Sequence, residues 1–173
     1  YNVRRLVRAI VFSDAYQLAS RRPEGVDDPA TFAYYLERSL TGEQLARSAQ
    51  IALWGESSGD SGLAGVFRQQ FPDLLPNDQI ASVKESLFLS NNQKIHDLLA
   101  SSNQPSHLIP RLEKMDDDQQ RVNELFQVMF ARAPDAEEST VVGAFLSNRA
   151  STTEAIRQVA WSMLTSAEFR YNH

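Results

Sequence analysis

The stretch Arg121-Val122-Asn123-Glu124-Leu125-Phe126-Gln127-Val128-Met129-Phe130 decides how the rest of the chain is read. Val122, Leu125, Phe126, Met129 and Phe130 recur at i, i+3, i+4, i+7 and i+8, the period of a helix with one apolar face. The same stripe appears at Val3, Leu6, Val7, Ile10 and Val11, at Val141, Val142, Phe145 and Leu146, and at Ile156, Val159, Ala160, Met163 and Leu164. Shorter versions run through Leu45, Ala49, Ala52 and Leu53, and from Val83, Leu87 and Phe88 on to Ile95, Leu98 and Leu99. No stretch alternates β-branched and polar residues with a period of two. The pattern predicts an all-α fold, an irregular bundle of about 7–9 helices.

Helix starts are marked by side chains able to accept from the first free backbone N–H groups. Asp28-Pro29 sets a carboxylate before a proline. Thr41-Gly42-Glu43-Gln44 and Ser151-Thr152-Thr153-Glu154 fit the capping box. Asp116-Asp117-Asp118 and Asp135-Ala136-Glu137-Glu138 place negative charge at the positive end of a helix dipole, which explains these acidic runs without a catalytic role.

The 173 residues carry a formal charge of −5 and no cysteine. Disulfides, thiolate nucleophiles and cysteine-held zinc, iron–sulfur or c-type haem centres are thereby excluded from this stretch. An acidic chain gains nothing from a nucleic-acid backbone, so no nucleic-acid partner is expected. The longest apolar runs, such as Ala9-Ile10-Val11-Phe12, have four residues, far short of a membrane span, so no direct membrane insertion is expected. The charge is uneven: residues 1–22 hold five Arg against Asp14, leaving −9 for the remainder. That asymmetry points to docking of the first helix onto an acidic surface, of the same protein or of a partner.

One segment interrupts the helical pattern. Residues 55–78 hold four of the seven glycines and read as a long internal loop within a single domain spanning 1–173. Phe67 and Phe71, four apart, predict a short helix inside it, ended by Pro72. Trp54, Phe67 and Phe71 are the candidate binding residues, as an apolar patch exposed at the loop; anchoring of the loop to the core is the alternative. Gly55-Glu56-Ser57-Ser58-Gly59 matches the spacing of a nucleophile elbow, but that motif needs a strand-to-helix turn that this chain lacks. Glu37, Asp60 and Asp73 are the carboxylates near the loop that a hydrolase would use. His96, His107 and His173 have no ligand spacing, so neither a metal nor a cofactor is expected. Residues 4–17 and 157–170 align without gaps, each an apolar stripe followed by a serine, Ser13 or Ser166, and an aromatic three residues on, Tyr16 or Phe169. A shared helix-turn device explains the match.

Two C-terminal stretches carry a family resemblance. Glu124-Leu125-Phe126-Gln127-Val128-Met129-Phe130-Ala131-Arg132-Ala133-Pro134-Asp135-Ala136-Glu137-Glu138, and Ala160 through His173, resemble the end of domain of unknown function 1553, the C-terminal part of large planctomycete proteins often linked to a cytochrome-c-like module. Arg5-Leu6-Val7-Arg8-Ala9-Ile10-Val11-Phe12-Ser13-Asp14-Ala15-Tyr16, Leu40-Thr41-Gly42-Glu43-Gln44-Leu45 and Glu85-Ser86-Leu87-Phe88-Leu89-Ser90-Asn91-Asn92 are similar to earlier segments of the same family, in the same order. The resemblance implies a C-terminal fragment of a larger exported bacterial protein, periplasmic or extracellular in the cell envelope, whose partners are other domains of the same polypeptide. It implies no established reaction and carries over no catalytic residue; with no catalytic constellation in the sequence, a structural or interaction role is expected. The alternatives are a hydrolase domain acting on surface polysaccharide and a module that binds a small ligand or peptide through residues 55–78.

Overall fold

The computed structural model describes the chain except residues 1, 20–22, 27, 36–37, 57–60, 72–82, 101–103 and 173. Ten α-helices account for most of the described residues, and the only strands among them are two residues long, Arg38–Ser39 (β1) and Tyr171–Asn172 (β2). The fold is all-α. Contacts divide the chain into two compact units, residues 1–38 with 171–173, and residues 39–170.

The first unit contains α1 (Val3–Val11), capped by the Asn2 side chain, which accepts from the Arg5 N–H at 3.1 Å. Its apolar stripe forms as the periodicity predicts but is not core: Leu6 is 61% and Val7 52% exposed, and no residue of α1 is buried. Periodicity specifies which face of a helix is apolar; it carries no information on whether the chain supplies a partner for that face. The Asp28-Pro29 signal likewise yields only a 3-10 turn, Pro29–Thr31, with the Asp28 carboxylate accepting from the Ala30 N–H at 2.8 Å.

The second unit holds α2 (Gly42–Trp54), α3 (Ser61–Gln70), α4 (Val83–Asn91), α5 (Gln93–Leu99), α6 (Leu108–Glu113), α7 (Asp118–Phe130), α8 (Ala136–Ser147), α9 (Thr152–Thr165) and α10 (Ala167–Arg170). Helix α9 is its axis. It packs against α4, α5, α6, α7, α8 and α10, and buries Ala155, Ile156, Val159, Ala160, Met163 and Leu164. On the other side α2 packs against α3, α5 and α6, and the α2–α3 approach is very close. A Cβ on Gly42 would stand 2.6 Å from the Phe67 carbonyl oxygen, so only glycine lets the two backbones meet there.

The capping signals of the second unit form reciprocal boxes at two helix starts and a one-sided bond at a third, where the sequence reads as a full box. The Thr41 hydroxyl and the Gln44 amide close a reciprocal box on α2, and Asp135 and Glu138 do the same on α8. At α9 the Ser151 hydroxyl accepts from the Glu154 N–H. The long apolar pattern of residues 83–99 is split at Asn92, whose side chain takes the Lys94 N–H at 2.9 Å and starts α5 as a separate helix. That break and the four-residue α10 raise the count above the 7–9 expected. The two Ser turns match closely. Ser13 donates to the Ile10 carbonyl and accepts from the Tyr16 N–H; Ser166 donates to the Met163 carbonyl and accepts from the Phe169 N–H. Their aromatics differ in fate, since Phe169 is buried and Tyr16 is exposed.

Candidate functional site

The three aromatic residues singled out at the loop do not make a surface patch. Phe67 is fully buried and Phe71 nearly so. With Phe88 of α4 they form a closed cluster: Phe67 and Phe88 meet edge to face at 5.3 Å between centroids, and Phe71 and Phe88 at 5.7 Å. The Arg170 guanidinium lies 5.8 Å from the Phe71 ring. The expectation of an exposed recognition patch at Trp54, Phe67 and Phe71 is therefore corrected to an anchoring role. The reason lies in α3, Ser61–Gln70, which packs against α2 and α4 and carries Phe67, with Phe71 directly after its end and its N–H on the Phe67 carbonyl. Trp54 is half-buried and stacks on His107, rings 5.8 Å apart and 20° from parallel. His107 precedes α6 without capping it, and its Nδ1 is buried with no hydrogen-bond partner among the described residues.

Of the other candidates, Glu37, Asp60, Asp73, Ser57, Ser58 and His173 lie outside the described residues. His96 is exposed on α5. Among the described residues, no group of three His, Asp or Glu side chains is placed to hold a metal ion.

Among the described residues, the densest polar constellation lies away from these candidates. Helix α7 ends at Ala131, held at φ 57°, a left-handed conformation that reverses the chain and projects Arg132 back over the end of the bundle. The Arg132 guanidinium donates from Nη1 and Nη2 to the two Glu138 oxygens, both at 2.7 Å. It also donates from Nε and Nη2 to Glu168, at 2.6 and 2.9 Å. Its flat face covers Phe126 and Phe130, 5.2 and 5.6 Å from the ring centroids. Glu138 additionally accepts from the Asp135 N–H at 2.8 Å. The guanidinium, followed by that backbone N–H, holds the Glu138 carboxyl down at about 2, and the two carboxylates raise the Arg132 pKa further. One cation thus ties the end of α7 to the start of α8 and to α10. The sequence carries a signal for it, in Arg132 set six residues before Glu138, the capping-box partner of α8. Nothing in spacing, however, announced Glu168.

Asp118 plays a similar part at the other end of α7. Ser147 of α8 donates to it at 2.7 Å, and this hydroxyl, with Arg121 adding to it, lowers its pKa against the effect of burial. Both networks link helices, and local contacts add to the pKa shifts: Arg121 in the same helix as Asp118, and the α8 cap at Glu138.

A shallow groove of about 320 Å³ runs between α5 and α9, lined by His96, Leu99, Ala100, Glu154, Arg157, Gln158 and Trp161. Gln158 donates to Glu154 at 3.1 Å, and Arg157 lies 3.8 Å from the same carboxylate. The Trp161 indole N–H is buried and unpaired among the described residues. The groove has one carboxylate, whereas glycoside hydrolysis ordinarily uses two flanking the bond. No family model, curated protein or solved structure matches the chain.

Proposed function

We propose that the chain is a helical packing and interaction module of a larger exported bacterial protein, similar to domain of unknown function 1553. Its partners are other domains of the same polypeptide, in the periplasm or cell envelope. The observation that carries this reading is the use made of the perturbed charges. Arg132 joins Glu138 of α8 to Glu168 of α10, and Asp118 of α7 takes the Ser147 hydroxyl of α8, so the most strongly shifted charges among the described residues link helices of the bundle. A rigid helical body of this kind is suited to present a surface, and ionisable groups tuned for chemistry sit instead in clefts open to substrate.

Fractionation of source cells, probed with an antibody raised against this chain, tests the reading. The expected result is a band far above 19.5 kDa in the envelope fraction. A cytoplasmic band at 19.5 kDa overturns it.

A further inference from the structure

Among the described residues, seven of the ten large apolar side chains that stand exposed belong to the first unit, and four of them lie in the stripe of α1. At 100° per residue, Val3, Leu6, Val7, Ile10 and Val11 occupy an arc of roughly 140°, and Arg4, Arg8 and Arg5 an adjoining arc of roughly 100°. Arg4 and Arg8 border the stripe, and the helix contains no acidic residue. Beyond its end, Phe12 is 73% exposed and Tyr16 59%.

A stripe this short cannot stabilise self-association. Two copies paired through α1 would bury a few hundred Å² in all, below the roughly 1,000 Å² of a specific protein interface. The exposed apolar groups also come from several elements, a helix, the turn after it and Phe32 beyond the 3-10 turn. A rigid groove takes one helix; a fluid surface accepts groups from all three. Basic residues along the border of an aliphatic stripe, with aromatics at one end, are the features of a helix lying in a lipid interface.

We propose that α1 and the turn after it adsorb onto an anionic lipid surface. The aliphatic stripe sinks among the upper acyl chains while Arg4 and Arg8 pair with lipid phosphates. Nine residues of helix span about 14 Å, less than half a bilayer core, so the segment lies on the membrane without crossing it. No described helix is long and apolar enough to cross. The net negative remainder of the chain is repelled by the same surface, which leaves attachment to the first unit.

This inference rests on the reading of the chain as an envelope interaction module, and its test is independent of that reading. The full chain is sedimented with vesicles of phosphatidylcholine alone and of phosphatidylcholine mixed equally with phosphatidylglycerol. Partition is expected only with the mixed vesicles, and released by salt. The triple variant R4Q/R5Q/R8Q should lose about thirtyfold in partition, from the two phosphate-paired charges of Arg4 and Arg8. The variant L6N/I10N should lose at least about tenfold. Because α1 buries nothing, both variants should keep the wild-type urea midpoint. Equal partition with both vesicle types, or partition unchanged by R4Q/R5Q/R8Q, overturns the proposal. So does retention on immobilised polyglutamate without any vesicle binding, which assigns the helix to an acidic protein surface. The vesicle result stands whichever cell fraction holds the protein, so the two readings fail separately.

Discussion

Replacing Gly42 with alanine sets two physical effects against each other. Gly42 is the first residue of α2, and helix propensity alone makes Gly42→Ala stabilising, by at most about 1 kcal/mol. Packing gives the opposite sign. The new Cβ would lie 2.6 Å from the Phe67 carbonyl oxygen and 2.7 Å from the Arg68 nitrogen, both backbone atoms that cannot rotate aside. Helices α2 and α3 would have to part by roughly half an ångström to an ångström to restore van der Waals contact. Overpacking of this kind costs about 1–3 kcal/mol, and a rigid obstacle puts it at the upper end. The net expectation is a loss of about 2 kcal/mol. With a urea m-value near 2 kcal/mol/M, the midpoint should fall by about 1 M. Tryptophan fluorescence reports the transition, since Trp54 lies in α2 and Trp161 in α9. Gly65→Ala is the control: that site in α3 has open space around its missing Cβ, and the variant should gain roughly 0.5–1 kcal/mol. A Gly42→Ala midpoint at or above wild type, with m unchanged, would refute the close approach of α2 to α3.

Two further outcomes follow from the bundle. Arg132→Met removes the cation shared by Glu138 and Glu168, and should cost about 1–2 kcal/mol at neutral pH, allowing for the solvent that reaches all three side chains. Glu138 titrates at about 2 in the folded chain against an ordinary 4.5, so its contribution is complete above pH 4.5 and lost as pH falls toward 2. The gap between wild type and Arg132→Met should therefore narrow from pH 7 to pH 3 in urea titrations; a constant gap refutes the assignment. Phe67→Ala should cost about 3–5 kcal/mol in urea unfolding, as loss of a core aromatic does, and a loss under 1 kcal/mol would return this residue to the surface.

Periodicity and capping residues made most of the fold legible. The stripe from Val122 to Phe130 and the Thr41–Gln44 box are local, and local rules read them correctly. What stayed hidden depends on partners far away in the chain. The apolar pattern of α1 is as regular as that of α9, yet one is solvent-exposed and the other is the axis of a core. Phe67 and Phe71 looked available because their neighbours are loop-like in composition; Phe88, which covers them, lies well downstream. Glu168 joins Arg132 across 36 residues, a pairing that no spacing rule anticipates.

The backbone N–H of Leu40 donates to the Arg170 carbonyl at 2.8 Å. The strand of chain leading into the second unit is thus fastened beside the strand leading out, although the whole bundle lies between them in sequence. A body whose two ends meet can be set into a loop of another protein with little distortion of its host. It also tolerates new termini: joining its ends by a short linker and opening the chain at an exposed turn, such as that between α8 and α9, should leave the bundle intact. In architectural terms residues 39–170 form a transplantable cassette.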